Sequence, residues 1–114
     1  MKVKTSELRG APLNWAVAQI RQLPLDDLRT SRSVVFYLGE PWMPDIYWEQ
    51  GGPIIEEQDM CINRQPVMGH PWVATIYSNA QASGPSPLIA AMRCHVAACL
   101  GDEVDVPEVL FSDK

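Results

Sequence analysis

The residues able to do chemistry in this chain are few and scattered. His95 and Cys99 stand four apart in a stretch of helical character, which places both on one helix face. Such a pair can give two ligands to zinc, or set a thiol beside a base. The same face also carries Leu88 and Met92, and no second close pair of Cys or His exists, since His70 and Cys61 stand alone. A zinc site would have to be gathered from singletons, so no metal and no other cofactor is expected. His95 reads instead as a core histidine with a satisfied hydrogen bond. The three cysteines, Cys61, Cys94 and Cys99, cannot all pair. Cys94 and Cys99 lie about 140° apart around a helix, which excludes a bridge between them. Buried, reduced thiols are the expected state.

A second group lies between Gly39 and Gly52, where Trp42, Tyr47 and Trp48 fall near Glu40, Asp45 and Glu49. Aromatics on a proline-stiffened loop can form a binding surface, and paired carboxylates can do acid–base work. The competing reading folds the aromatics inward to cap a sheet edge. The segment GGPIIEE (51–57) lacks the spaced glycines, the lysine and the preceding strand of a phosphate-cradling loop, and reads as a tight turn feeding a strand. Arg93 is a lone positive charge on an apolar helix. It must pair with an acid or with backbone carbonyls, because an unpaired buried charge is costly; an anion-binding role is the alternative. No catalytic set emerges. The candidate binding positions are Trp15, Trp42, Trp48, Glu49, Glu56 and Arg93.

The elements that must position these residues follow from periodicity and punctuation. Leu13, Ala16, Val17 and Ile20 recur at helical spacing, with Pro12 in the first turn and Leu23-Pro24 as the stop. Trp15 lies roughly opposite that stripe. Residues 24–32 read as turn-like, and Ser33–Leu38 as a strand rich in β-branched and aromatic residues. With three prolines and three glycines, residues 39–53 read as a long loop with at most a short strand at Asp45–Trp48. Pro53–Ile55 and Asp59–Ile62 read as short strands. A bend over Arg64–Pro71 leads into Trp72–Tyr77, whose apolar residues on both sides suit the centre of a sheet. Residues 78–86 read as a small-residue linker. The clearest element is a helix from Pro87, with Ser86 as N-cap and Gly101 as its left-handed stop. Alone it is too apolar to face water on any side. The expected class is α+β: a small, mostly antiparallel sheet with two main helices packed on it.

Composition narrows the function further. With 114 residues, 46% of them hydrophobic and 20% charged, the chain reads as a single globular domain spanning 1–114. Its 9 basic and 14 acidic residues give a net charge of −5, which argues against direct contact with nucleic acid. That charge is polarised: residues 1–33 carry +3, residues 34–101 carry −4, and residues 102–114 another −4. The acidic C-terminal segment, 102–114, reads first as a solvated tail that keeps a small protein soluble, while its interruption by Val104, Val106, Val109, Leu110 and Phe111 suggests docking on the domain or on a partner. No apolar run is long enough to span a membrane and no basic-then-apolar leader opens the chain, so a cytoplasmic protein is expected.

Three segments, KTSELRGAPLNWAVA (4–18), YWEQGGPIIEE (47–57) and GPSPLIAAMRCHVAACLGDEVDVP (84–107), resemble in order and spacing the motif blocks of the NinX family. These are small phage and prophage proteins named for the accessory "nin" region of lambda-like phages. The resemblance implies a phage or prophage accessory protein acting in the bacterial host. It carries over no catalytic or binding residues. Together with the absence of a catalytic set, it favours a non-enzymatic protein that binds a phage or host protein, with a homodimer also expected. Two alternatives are a small enzyme or ligand-binding domain using the 39–57 loop, with Glu49 and Glu56 as acid–base groups, and an acidic inhibitor that mimics DNA.

Overall fold

The computed structural model describes residues 1–28, 33–66, 68–76 and 80–111. Its centre is the helix α3, Pro87–Leu100, against which most other elements are laid. The Ser86 hydroxyl accepts from the Ile89 N–H at 3.2 Å, so the N-cap expected from the sequence is formed. At the other end Gly101 takes φ +90°, a conformation that residues with a Cβ rarely adopt, and the helix stops there. Between these caps Leu88, Ala90, Ala91, Met92, Cys94 and Val96 are buried. A helix with apolar residues on every side needs cover on more than one side, and α3 has it.

One cover is a three-stranded antiparallel sheet in the order β4 (Met60–Arg64), β5 (Trp72–Ile76), β6 (Ala80–Gly84). In its register Cys61 lies opposite Thr75, and Ala74 opposite Ala82. As expected, β5 is central and buries Val73 and Ala74; Tyr77, at the end of the expected strand, lies outside the described residues. The other cover is α1, Gly10–Ile20, which turns Leu13, Ala16 and Val17 into the core. Full burial of one such Leu or Val side chain is worth about 1.5–3 kcal/mol. Ile20, the last residue of that stripe, is partly buried.

Two smaller antiparallel pairs complete the structure. β1 (Lys2–Lys4) pairs with β7 (Glu103–Asp105), and Val104, Val106 and Leu110 of the C-terminal segment are buried. The segment therefore docks on its own chain up to residue 111. β2 (Phe36–Tyr37) and β3 (Glu40–Pro41) form a two-residue hairpin through Leu38 and Gly39, both at positive φ. Among the described residues no helix is long and apolar enough to cross a membrane.

The α+β class and the antiparallel pairing stand as expected, but three local expectations do not. Residues 48–57, read as loop and strand, form a third helix, α2 (Trp48–Glu57). Gly51 sits inside it because a Cβ there would lie 2.4 Å from the Pro44 carbonyl oxygen and 2.7 Å from Leu88 Cδ2. The glycine permits a close crossing and does not break the chain. Pro53 removes only the bond to the Glu49 carbonyl, on an exposed residue where water can replace it. Residues 80–84, read as linker, form β6, because the β5 edge and α3 hold a sequence of low strand propensity in place. The strand expected over 33–38 shortens to Phe36–Tyr37.

Candidate functional site

The most exposed aromatic cluster is built on the turn that enters α2. Pro44 and Asp45 are buried beneath it. The N-terminus of α1 follows Arg9, whose side chain makes no cap, and Asp45 supplies the missing acceptor from 35 residues away. One carboxylate oxygen accepts from the Gly10 N–H at 3.2 Å and the other from Asn14 Nδ2 at 2.9 Å, while the Asp45 N–H donates to Asn14 Oδ1 at 3.2 Å. Burial raises the Asp45 pKa, and the Asn14 and Gly10 bonds and the Arg9 charge oppose that rise. Gln50 clamps the same turn from α2: it accepts from the Met43 N–H at 2.6 Å and donates to the Pro41 carbonyl at 2.9 Å. On this fixed base Ile46, Tyr47 and Trp48 are 55%, 37% and 55% exposed. Beside them is a pocket of about 270 Å³ lined by Asp45, Ile46, Trp48 and the first turn of α3, Ser86 to Ile89.

The sequence candidates divide accordingly. Trp42 and Trp15 both pack against the core, and the Trp42 indole donates to the Asn14 carbonyl at 3.0 Å. They hold the platform; Trp48 stands on it. Glu49 is exposed in the first turn of α2, where the helix dipole favours a carboxylate. Glu56 follows two turns later, about 10.5 Å along the axis. It lines a different pocket, of about 540 Å³, with Ile55, Asp59, Met60, Cys61 and Thr75. Glu49 and Glu56 are therefore set apart along one helix and do not form a close pair. Ile46, Leu88 and Ile89, which share the pocket with Trp48, carry no sequence signal beyond hydrophobicity.

Arg93 and His95 are the buried polar groups of α3. Arg93 is 3% exposed; its Nε donates to the Leu8 carbonyl at 2.7 Å and its Nη1 to the Ser83 carbonyl at 2.9 Å. Of the two partners expected for it, carbonyls are found. His95 is 1% exposed, but among the described residues neither ring nitrogen has a hydrogen-bond partner, contrary to the satisfied histidine expected. Burial lowers its pKa, the Arg21 charge lowers it further, and Glu57 opposes both. Arg21 and Glu57 form a two-pronged ion pair at 2.8 and 3.1 Å, which draws the Glu57 carboxyl down to about 2. The cysteines are all free; only Cys94 is buried, its thiol pushed up to about 11, while Cys61 and Cys99 are exposed. Among the described residues no group of three or more His, Cys, Asp or Glu side chains is placed to hold a metal ion.

In the acidic C-terminal segment Asp102, Glu103, Asp105 and Glu108 are exposed. The register sets Lys2 opposite Asp105 and Lys4 opposite Glu103. The Asp105 carboxylate accepts from the N-terminal ammonium of Met1 at 2.6 Å.

The ridge Ile46–Trp48 thus stands beside a pocket of about 270 Å³ on the surface of a small α+β domain. The family described as "Bacteriophage P22, NinX" has a model that matches residues 4–98, and the chain belongs to that family. The match takes in α1, α2, the three-stranded sheet and most of α3, and with them the ridge at Ile46–Trp48. No curated protein matches the chain.

Proposed function

We propose that this phage-family protein acts without catalysis, by binding a phage or host protein in the bacterial cytoplasm through the ridge Ile46–Tyr47–Trp48. The observation that carries this reading is three consecutive large apolar side chains left exposed on a turn whose next residues inward, Pro44 and Asp45, are buried. Isolated exposed apolar residues are ordinary, but a contiguous aromatic-bearing patch beside a pocket is the anatomy of a binding hot spot. Rigid aromatic anchors lose little conformational entropy on binding, and the buried Asp45 and the Gln50 clamp have already removed that of the backbone. The adjoining pocket of about 270 Å³ has room for one apolar side chain of the partner. Self-association has a narrower basis than the sequence implied, since α3 is largely covered within the chain: its exposed residues are Ala98, Cys99 and Leu100, with Pro87, Ile89 and Ala97 partly buried.

A photo-crosslinking residue placed at Trp48 tests this in phage-infected cells. The expected result is one discrete crosslinked protein, lost when Ile46 and Tyr47 are both changed to Ser. A crosslink pattern at position 48 no different from that at exposed Glu103, on the β1–β7 ribbon, would overturn it.

A further inference from the structure

The three-stranded sheet ends at β6, and the β1–β7 ribbon stands across a groove of about 680 Å³ from it. Gln81, Ala82 and Ser83 line one side, Lys4 to Ser6 with Asp102 and Glu103 the other, and Ala97 of α3 completes the lining. The phase of the ladder decides what β6 offers to this space. In an antiparallel pair, opposed residues alternate between bonding each other and turning both backbone groups away. Just past the β4–β5 register the Gln65 N–H donates to the Pro71 carbonyl at 2.6 Å. Two residues further in, Asn63 and Val73 therefore bond each other, and Val73 has no backbone group left for β6. Ser83, opposite Val73, turns its N–H and C=O to the free edge, and Gln81 does the same. In keeping with that phase, the Ser83 carbonyl accepts from Arg93 Nη1 at 2.9 Å. The Ser83 N–H and both backbone groups of Gln81 have no partner among the described residues.

An open edge of this kind is a template for another strand, and proteins blunt such edges with charge, proline or a bulge. β6 carries none of these: its sequence is AQASG and its register with β5 is unbroken. The charge comes from the other side of the groove, where two acids stand with one base. Lys4 lies opposite Glu103 in the β1–β7 register, and Asp102 has no ion-pair partner among the described residues. We propose that the groove takes an extended peptide segment of another protein, which pairs with the free edge of β6 and sets a lysine or arginine against Asp102. Backbone bonds supply the affinity of such a complex, and alternate side chains supply its selectivity. Small residues suit the positions that pass Ala82 and Ala97, and a basic one suits the position at Asp102. The groove and the pocket beside the ridge share no lining residue, and the two surfaces use different forces, backbone pairing here and apolar burial there. Because Glu103 lines the groove, a crosslink there would report this peptide and not the partner of the ridge.

The test is selection of random octapeptides, displayed on filamentous phage, against the full-length protein, followed by titration of the selected peptides. The expected result is enrichment of sequences with Lys or Arg at a fixed position and no proline in the run that pairs. Hydrogen exchange with saturating peptide should protect the Gln81 and Ser83 amides. Ser83→Pro removes an outward N–H, the place where an edge strand tolerates proline, and should weaken binding about tenfold. Asp102→Lys changes an exposed side chain and should weaken the basic peptides about threefold, the worth of one exposed ion pair. Trp48→Ala should bind them as wild type does. No enrichment over an unrelated acidic protein would overturn the groove. So would peptides that bind both groove variants unchanged, or that protect amides outside β6. Should Ser83→Pro fail to fold, Asp102→Lys and the exchange pattern decide the matter. Peptides lost in Trp48→Ala alone would belong to the ridge, which overturns this proposal and leaves the ridge reading standing.

Discussion

Asn14 and Asp45, separated by 31 residues and both buried, exchange two hydrogen bonds, so that the side chain of one is read by the carboxylate and the backbone of the other. This pair joins the second turn of α1 to the base of the exposed ridge. Asn14→Ala leaves Asp45 without its side-chain partner inside the protein. It should lower stability by about 1.5–3 kcal/mol at pH 7, the range for a lost hydrogen bond to a charged group.

The same variant has a pH signature. Asp45 titrates above its ordinary value in the folded protein, chiefly because it is buried. The folded state therefore holds its proton more tightly than the unfolded one. That contribution is complete below pH 3.8, the unfolded value, and is lost as pH rises through the folded value. Removing Asn14, whose bond favours the charged form, must raise the folded value further. The destabilisation should thus be larger at pH 7 than at pH 3, and carbon-13 NMR of the Asp45 carboxyl should show the upward shift directly.

His95 gives the opposite sign. Its folded pKa is depressed, mainly by burial, so the unfolded chain binds the proton more readily. Stability from this group is present above pH 6.5 and is lost as the pH falls from there through the folded value. His95→Leu removes two ring nitrogens that have no partner among the described residues, at similar volume, and should raise stability at pH 7 by about 1–3 kcal/mol. Denaturant melts between pH 7 and pH 5 should show wild type losing more stability than the variant. Equal pH slopes would show that the imidazole finds a partner in solution.

The hairpin turn offers a gain. Leu38 holds φ +54° beside Gly39 at φ +80°, and its side chain is 74% exposed, so nothing packs it into that conformation. Positive φ at both central residues is the turn geometry that favours Asn-Gly. Leu38→Asn should raise stability by about 0.5–1 kcal/mol, read as a higher thermal midpoint, since it relieves left-handed strain in a residue that tolerates it poorly.

What the sequence disclosed was the elements with two agreeing signals. α3 has a cap, a proline and a stop glycine around an apolar run, and α1 has a clean stripe; both are found within a few residues of their expected bounds. β6 was hidden because Ala80, Gln81, Ala82, Ser83 and Gly84 have no strand preference, and only β5 and α3 make them a strand. α2 was hidden because Gly51, Gly52 and Pro53 signal a break in isolation. The reason for Gly51 is the Pro44 oxygen and Leu88, which meet it only in the folded chain. The ridge was half legible: aromatics on a stiff segment were visible, but which of them faces water depends on Asn14. Its carbonyl takes the Trp42 indole inward while its side chain fixes the turn that leaves Trp48 outside.

That division makes the two tryptophans a discriminating pair. Trp42 is partly buried against the core and donates to the Asn14 carbonyl, so Trp42→Ala should lower stability by about 3 kcal/mol, the lower end for core aromatic truncation. Trp48 is 55% exposed, and Trp48→Ala should change stability by no more than about 0.5 kcal/mol, as surface substitutions do. If the ridge is the binding surface, the order reverses for partner capture. Trp48→Ala then abolishes it in a protein that unfolds normally in denaturant, whereas Trp42→Phe, which keeps most of the packing, retains it. A Trp48→Ala protein that both folds and captures its partner as well as wild type would remove the ridge from the function.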